Sequence, residues 1–192
     1  MAIPFLYLDV ETTGLNEKEN SIIQLSGMFV MGNVVEEFNY RMRPYRGEEV
    51  PSDVTKVTGI TNEMAQSYPD QQEAYISFKA LLDKYVGERS TRAFLVGYNV
   101  SFDDKFIREW FTLNGAPFGW GYYVWFPYID VMNLAALKTI PCRKTLPNFK
   151  LGTVYKHFTG KELTGAHDAM NDIVATKELF EILAKEILFP AK

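Results

Sequence analysis

With 192 residues, 47% of them hydrophobic and 23% charged, the chain has the size and balance of one ordinary globular domain, read here as residues 1–192, and this excludes intrinsic disorder. A formal net charge of −4 excludes nucleic-acid binding through a broad basic surface, though not through local contacts. Cys142 is the single cysteine, so no intrachain disulfide can form; with no basic segment ahead of an apolar leader and no apolar run near about 20 residues, the expectation is a cytoplasmic protein without signal peptide or membrane span.

The first strand is read from Ile3 to Gly14, an apolar run that ends in Asp9-Val-Glu11-Thr-Thr-Gly14. Side chains alternate along a strand, so Asp9 and Glu11 project to the same side with Cα atoms roughly 6.5–7 Å apart, and both can approach one ion. Two bare like charges at the end of a buried strand are costly, and a hard divalent cation is the simplest group that offsets them.

Ser21 to Val30 and Val34 to Met42 read as a hairpin about Met31-Gly32-Asn33, giving three consecutive antiparallel strands. Arg41, Arg43 and Arg46 come next around Pro44, either as a solvated loop or as phosphate contacts. Pro51 to Gly59 reads as a connection, and Thr61 as the N-cap of a short helix. Ala74, Phe78, Leu81, Leu82 and Tyr85 recur at helical spacing and predict a core-facing helix from Gln71 to Val86.

Arg92 to Tyr98 predicts a short buried strand that runs through Asn99-Val-Ser101 into a helix carrying Phe102, Phe106 and Trp110, with Ser101 and Asp104 spaced as a capping box. Tyr122 to Ile129 has strand composition, irregular or at an edge because of Pro127, and Asp130 caps a helix through Leu137. The aromatics Trp120, Tyr122, Tyr123, Trp125 and Phe126 suit either core packing or base stacking. Thr139 to Lys150 reads as a loop whose Arg143, Lys144 and Lys150 are either solvated or phosphate contacts. A short helix over Phe149–Phe158 and a long one over Asp168–Leu188 complete the chain. Strands first, then alternating helices and strands, predict an α/β fold built on a mixed sheet flanked by helices.

Three further polar residues stand out. Asp103 falls in the first turn of a helix after a buried strand, and Asp172 shares a stripe with Ala169, Ala175, Thr176 and Leu179, so it faces inward. His167 lies five residues before Asp172, while His157 reads as structural.

Taken together, Asp9-Val-Glu11-Thr12-Thr13-Gly14, Asn99-Val-Ser-Phe102-Asp103 and His167 with Asp172 resemble the three motifs of the DEDDh, or DnaQ-like, 3′–5′ exonucleases. The proofreading subunit of bacterial polymerase III belongs to that subgroup. Thr58-Gly-Ile-Thr61 and Ile129-Asp130 look like signposts of the same family, and Gln24 departs from it where relatives often carry Glu.

The resemblance implies a ribonuclease H-like fold with a five-stranded sheet, and release of nucleoside monophosphates from 3′ ends. It also implies two Mg²⁺ ions, with Mn²⁺ as a substitute, held by Asp9, Glu11, Asp103 and Asp172. His167 is then the base that deprotonates the attacking water, and the backbone at Thr12 and Thr13 contacts the terminal nucleotide. Leu15 is either a wedge against the terminal base or a core residue.

Single-stranded or 3′-unpaired DNA is the first reading of the substrate, RNA the alternative, and a noncatalytic binding module of the same fold the reading from another class. Few residues come after Leu188, so no long C-terminal docking tail is expected. The protein then acts alone or meets a DNA polymerase through its surface, with its oligomeric state open.

Overall fold

The apolar run that opens the chain becomes β1 (Phe5–Thr12), which pairs with β2 (Ile22–Met31). The computed structural model describes residues 3–87, 91–163 and 169–188. β2 turns into β3 (Val34–Arg41) at Gly32-Asn33, where Gly32 takes a φ of 61°, a conformation open to glycine at no steric cost. On its other side β1 pairs with β4 (Phe94–Gly97), and β4 with the two-residue β5 (Ile129–Asp130).

The strand order is β3-β2-β1-β4-β5, antiparallel through the first three strands and parallel from β1 onward, as the sequence predicts. In this register Asp9 lies opposite Ser26 and Glu11 opposite Gln24. A bulge between Glu11 and Thr12 then breaks the ladder. Such a bulge bends the strand and re-aims the side chains beyond it.

Between β3 and β4 lie α1 (Ser52–Thr58), α2 (Asn62–Gln66) and α3 (Gln71–Tyr85). After β4 come α4 (Ser101–Leu113), α5 (Trp120–Tyr123), α6 (Val131–Lys138), α7 (Leu151–Thr159) and α8 (Ala169–Leu188). The alternation of β1 divides its side chains between two cores. Leu6, Leu8 and Val10 pack with Phe78 and Leu82 of α3 and Ile107 and Trp110 of α4. Tyr7 on the opposite face packs with Val96 and with Ile173, Leu179 and Phe180 of α8. Each fully buried Leu or Phe of this kind stabilises the fold by about 1.5–3 kcal/mol. Because β1 is covered on both faces, its polar residues are confined to its C-terminal end.

Two predicted caps form. Thr61 Oγ1 accepts the Met64 N–H at 3.2 Å, and Asp130 Oδ1 accepts the Met132 N–H at 3.0 Å. Four local expectations change. Ser52–Thr58, read as part of a connection, is a helix that ends on Gly59 at a φ of 73°; none of its residues is fully buried, so Val54 and Val57 are all the apolar spacing it offers.

Ser101 and Asp104 do not form a capping box, because Asp104 instead accepts the Trp120 indole N–H at 2.8 Å and the Arg108 Nε–H at 2.7 Å. The same bond seats Trp120 beneath α4 and, with the Tyr123 hydroxyl donating to Asp83 at 2.6 Å, makes Trp120–Tyr123 a helical turn. The strand predicted over Tyr122–Ile129 is thereby reduced to Ile129–Asp130 and a bridge from Val124 to Ala93. Within Thr139–Lys150, residues Ile140–Thr145 form a 3₁₀ helix rather than a loop.

Candidate active site

Asp9 and Glu11 leave β1 on the face packed by α8, and Asp172 stands in the first turn of that helix. Asp103 comes from the first turn of α4, which begins where β4 ends. Its Oδ1 accepts the backbone N–H of Val10 at 3.0 Å, which seats this buried carboxylate between the Asp9 and Glu11 positions of β1. Asp130 supports that turn from β5: it accepts the N–H of Asn99, which sits at a φ of 62° between β4 and α4. Four of the five acidic and basic residues picked out in the sequence are therefore brought to one end of the sheet. His167 lies outside the described residues.

The carboxylates act on one another. Burial first, then the charges of Asp103, Glu11 and Asp172, push the Asp9 carboxyl well above the usual carboxylate range. Burial and the Asp172 charge push Glu11 up to about 7. Burial also pushes Asp103 up to about 7, with the charges of Glu11 and Asp130 adding to it, although the N–H of Val10 favours its anion. At neutral pH this cluster carries a repulsion that a cation would relieve.

The donor set fits a divalent metal: every side-chain donor in the cluster is a carboxylate oxygen, the preference of a hard ion. Among the described residues no three His, Cys, Asp or Glu side chains are grouped closely enough to hold an ion as they stand.

Two cavities flank the cluster. A small one of about 170 Å³ lies behind it, lined by Asp9 and Asp172 with Tyr7, Tyr98, Leu151 and Thr176. A larger cleft of about 600 Å³ opens in front, where Glu11, Thr12, Thr13 and Leu15 face Val54, Val57 and Phe102. Leu15 is 87% exposed, which removes the core reading and leaves its side chain at the rim of this cleft. The Thr13 N–H is engaged with the Ser21 carbonyl at 2.9 Å, and the Thr12 hydroxyl donates to the Gly14 carbonyl at 2.6 Å.

Sequence reasoning missed several residues of this end. Val54 and Val57 belong to the unrecognised α1, and their spacing of three was the available signal. Phe102 sits one turn before Phe106 and reads as part of the same core stripe, yet it lines the cleft. Glu48 looks like a surface charge in Gly47-Glu-Glu. Its carboxylate in fact accepts hydrogen bonds from the Thr13 and Ser21 hydroxyls and the Asn20 amide, and its carbonyl accepts one from Gln66. Gln24, beside Glu11 across the ladder, donates to Ser26 Oγ and Asn39 Oδ1.

A family model described as RNase_T, exonuclease, matches residues 6–180. A DNA polymerase III PolC-type protein of Halalkalibacterium halodurans is 31% identical over 183 residues, which cover 95% of this chain and 11% of that protein. A DNA polymerase III subunit epsilon of Aquifex aeolicus is 27% identical over 188 residues, 96% of this chain and 82% of that one. Among solved structures, E. coli exonuclease I in complex with a dT13 oligonucleotide aligns with a TM-score of 0.74 at 22% identity, over 97% of this chain and 42% of that chain. The chain thus spans about a tenth of the length of the polymerase it matches at 31% identity and about two fifths of that of the exonuclease whose fold it shares. That fold is the ribonuclease H-like one expected from the sequence.

Proposed function

The chain belongs to the RNase_T exonuclease family, a family of 3′–5′ exonucleases, and from that premise we propose that it releases nucleoside monophosphates from the 3′ end of single-stranded or unpaired DNA. The observation that carries this reading is the convergence of Asp9, Glu11, Asp103 and Asp172, from three separate elements, beside a cleft wide enough for a nucleotide. The DNA assignment draws support from relatives named as DNA polymerase III proteins and from the oligonucleotide complex of E. coli exonuclease I. The polymerase names also support association with a DNA polymerase. No helix among the described residues is long and apolar enough to cross a membrane, and the single cysteine suits the reducing cytoplasm.

In this proposal Asp9, Glu11, Asp103 and Asp172 hold two Mg²⁺ ions, with Mn²⁺ able to substitute. When bound, paired divalent ions stabilise charge on the attacking and leaving oxygens of an in-line displacement. The chain's own residues supply the rest. The Val10 N–H fixes the orientation of Asp103 before substrate arrives. Thr12, Thr13 and Leu15 seat the terminal nucleotide against Phe102 and the valines of α1. His167 takes a proton from the attacking water on an imidazole nitrogen, since histidine is the side chain that most readily exchanges a proton near neutral pH.

The test gives the purified protein 3′-unpaired DNA and RNA oligonucleotides of one sequence, with magnesium or with chelator, and tracks strand length over time. Stepwise 3′ shortening of DNA in magnesium alone is the expected result. Faster shortening of RNA would overturn the substrate assignment, and no shortening of either would overturn the activity.

A further inference from the structure

Residues 138–161 contain Lys138, Arg143, Lys144, Lys150, Lys156 and Lys161, six of the twenty basic residues, and none of the twenty-four acidic ones. In a chain of net charge −4 such a segment stands apart. Some of its charge is answered within the fold: Lys156 pairs with Glu162, and Lys161 with Glu178. Among the described residues Arg143, Lys144 and Lys150, all exposed, make no ion pair.

The backbone that carries these cations is ordered, and one of them is held by a ring. Arg143 lies on the 3₁₀ helix Ile140–Thr145, whose Thr145 hydroxyl donates to the Cys142 carbonyl at 2.8 Å. Asn148 Oδ1 accepts both the Lys150 N–H and the Thr153 hydroxyl, ordering the turn into α7. The Arg143 guanidinium is stacked 4.3 Å from the centroid of the Phe149 ring. This cation–π contact holds the guanidinium at the surface, where its N–H groups can meet a phosphate.

The segment is also joined to the carboxylates. The carbonyl of Phe149 accepts the Tyr98 hydroxyl at 2.8 Å, and Tyr98 and Leu151 line the small cavity with Asp9 and Asp172. Burial, with the Asp130 charge, raises the Tyr98 pKa, and Arg143 opposes it, so the guanidinium field reaches that wall. An acidic cluster repels a polyanion, and a neighbouring row of unpaired cations supplies the attraction the cluster lacks.

We propose that the arm from Ile140 to Leu151 holds the sugar–phosphate backbone of the substrate strand on the 5′ side of the scissile bond, with the stacked Arg143 as its anchor. The proposal rests on the exonuclease reading. It makes affinity depend on strand length, because the arm engages only strands that extend beyond the terminal nucleotide.

The experiment compares the wild type with Arg143→Met, which keeps an apolar contact to Phe149 and removes the charge, and with Arg143→Lys. Substrates are oligothymidylates of increasing length and a chromogenic aryl ester of thymidine 5′-monophosphate, which fills the terminal site alone. Arg143→Met is expected to lower kcat/KM for a long strand about tenfold relative to the ester, with the loss in KM, and Arg143→Lys to recover part of it. The slope of log KM against log salt should flatten by about 0.7 for the lost cation.

An unchanged length dependence in Arg143→Met overturns the arm. So does an equal loss on ester and long strand, which marks a structural defect. Wild-type protein that cleaves neither substrate overturns the exonuclease reading itself, and the arm with it.

Discussion

Asp103 Oδ1 accepts the backbone N–H of Val10 at 3.0 Å, joining residues 93 apart in the chain. The bond separates the structural work of this carboxylate from its charge. Asp103→Asn keeps a carbonyl oxygen for Val10 and removes a charge that its neighbours resist. It should cost at least about 10²-fold in turnover, yet leave the melting temperature in chelator equal or higher. Asp103→Ala orphans the buried N–H and should destabilise by about 1–3 kcal/mol. Calorimetry beside a hydrolysis assay checks both, and a large destabilisation in Asp103→Asn would count against the charge argument.

The stability of the metal-free protein should fall with rising pH. Glu11 binds its proton more tightly in the fold, at about 7, than at its ordinary value of 4.5. The stability from that preference is complete below about pH 4.5 and is lost as pH rises through about 7. The difference amounts to about 3 kcal/mol at about 1.4 kcal/mol per pH unit. Asp103 titrates in the same direction. Denaturant unfolding in chelator between about pH 5 and pH 8 measures this, and millimolar magnesium should restore stability chiefly at the upper end. Stability that climbs over this range in chelator would contradict the cluster's electrostatics.

Leu15→Ala changes a side chain that is 87% exposed, so the melting temperature should stay within about 0.5 kcal/mol of wild type in free-energy terms. If its side chain seats the terminal base, KM for an oligonucleotide rises severalfold. Thermal melts and steady-state kinetics separate a binding role from an idle surface position.

His167→Ala should reduce turnover by about 10²–10⁴-fold and leave magnesium affinity close to normal, the behaviour of a lost general base. Asp9→Ala should abolish metal-dependent cleavage. Titration calorimetry with magnesium, run on the same preparations, distinguishes the two. Near-normal turnover of His167→Ala would remove that residue from the reaction.

Much of this end of the sheet is legible in the sequence because its signals are local. Asp9 and Glu11 are conspicuous at the end of an apolar strand, and the hairpin, the α3 stripe and the Thr61 and Asp130 caps each declare themselves within a few residues. The features that escape are set by partners far away. Trp120 becomes helical because its indole reaches Asp104, and that same bond takes Asp104 away from capping. Glu48 acquires its role from residues 27 and 35 positions earlier. α1 escapes for the opposite reason, since a helix with no fully buried residue leaves only Val54 and Val57, one apolar pair at a spacing of three, as its hydrophobic period.

The hydrogen bonds around Glu48 bear on how this end of the molecule opens. One carboxylate joins the end of β1 at Thr13, the turn at Asn20 and the start of β2 at Ser21, while its own backbone is tied to α2 through Gln66. Segments tied in this way should exchange their amide hydrogens as one cooperative unit rather than fray independently. The wall that faces Leu15 and Phe102 is therefore expected to open as a whole, which native-state hydrogen exchange at Thr13, Ser21 and Gln66 checks.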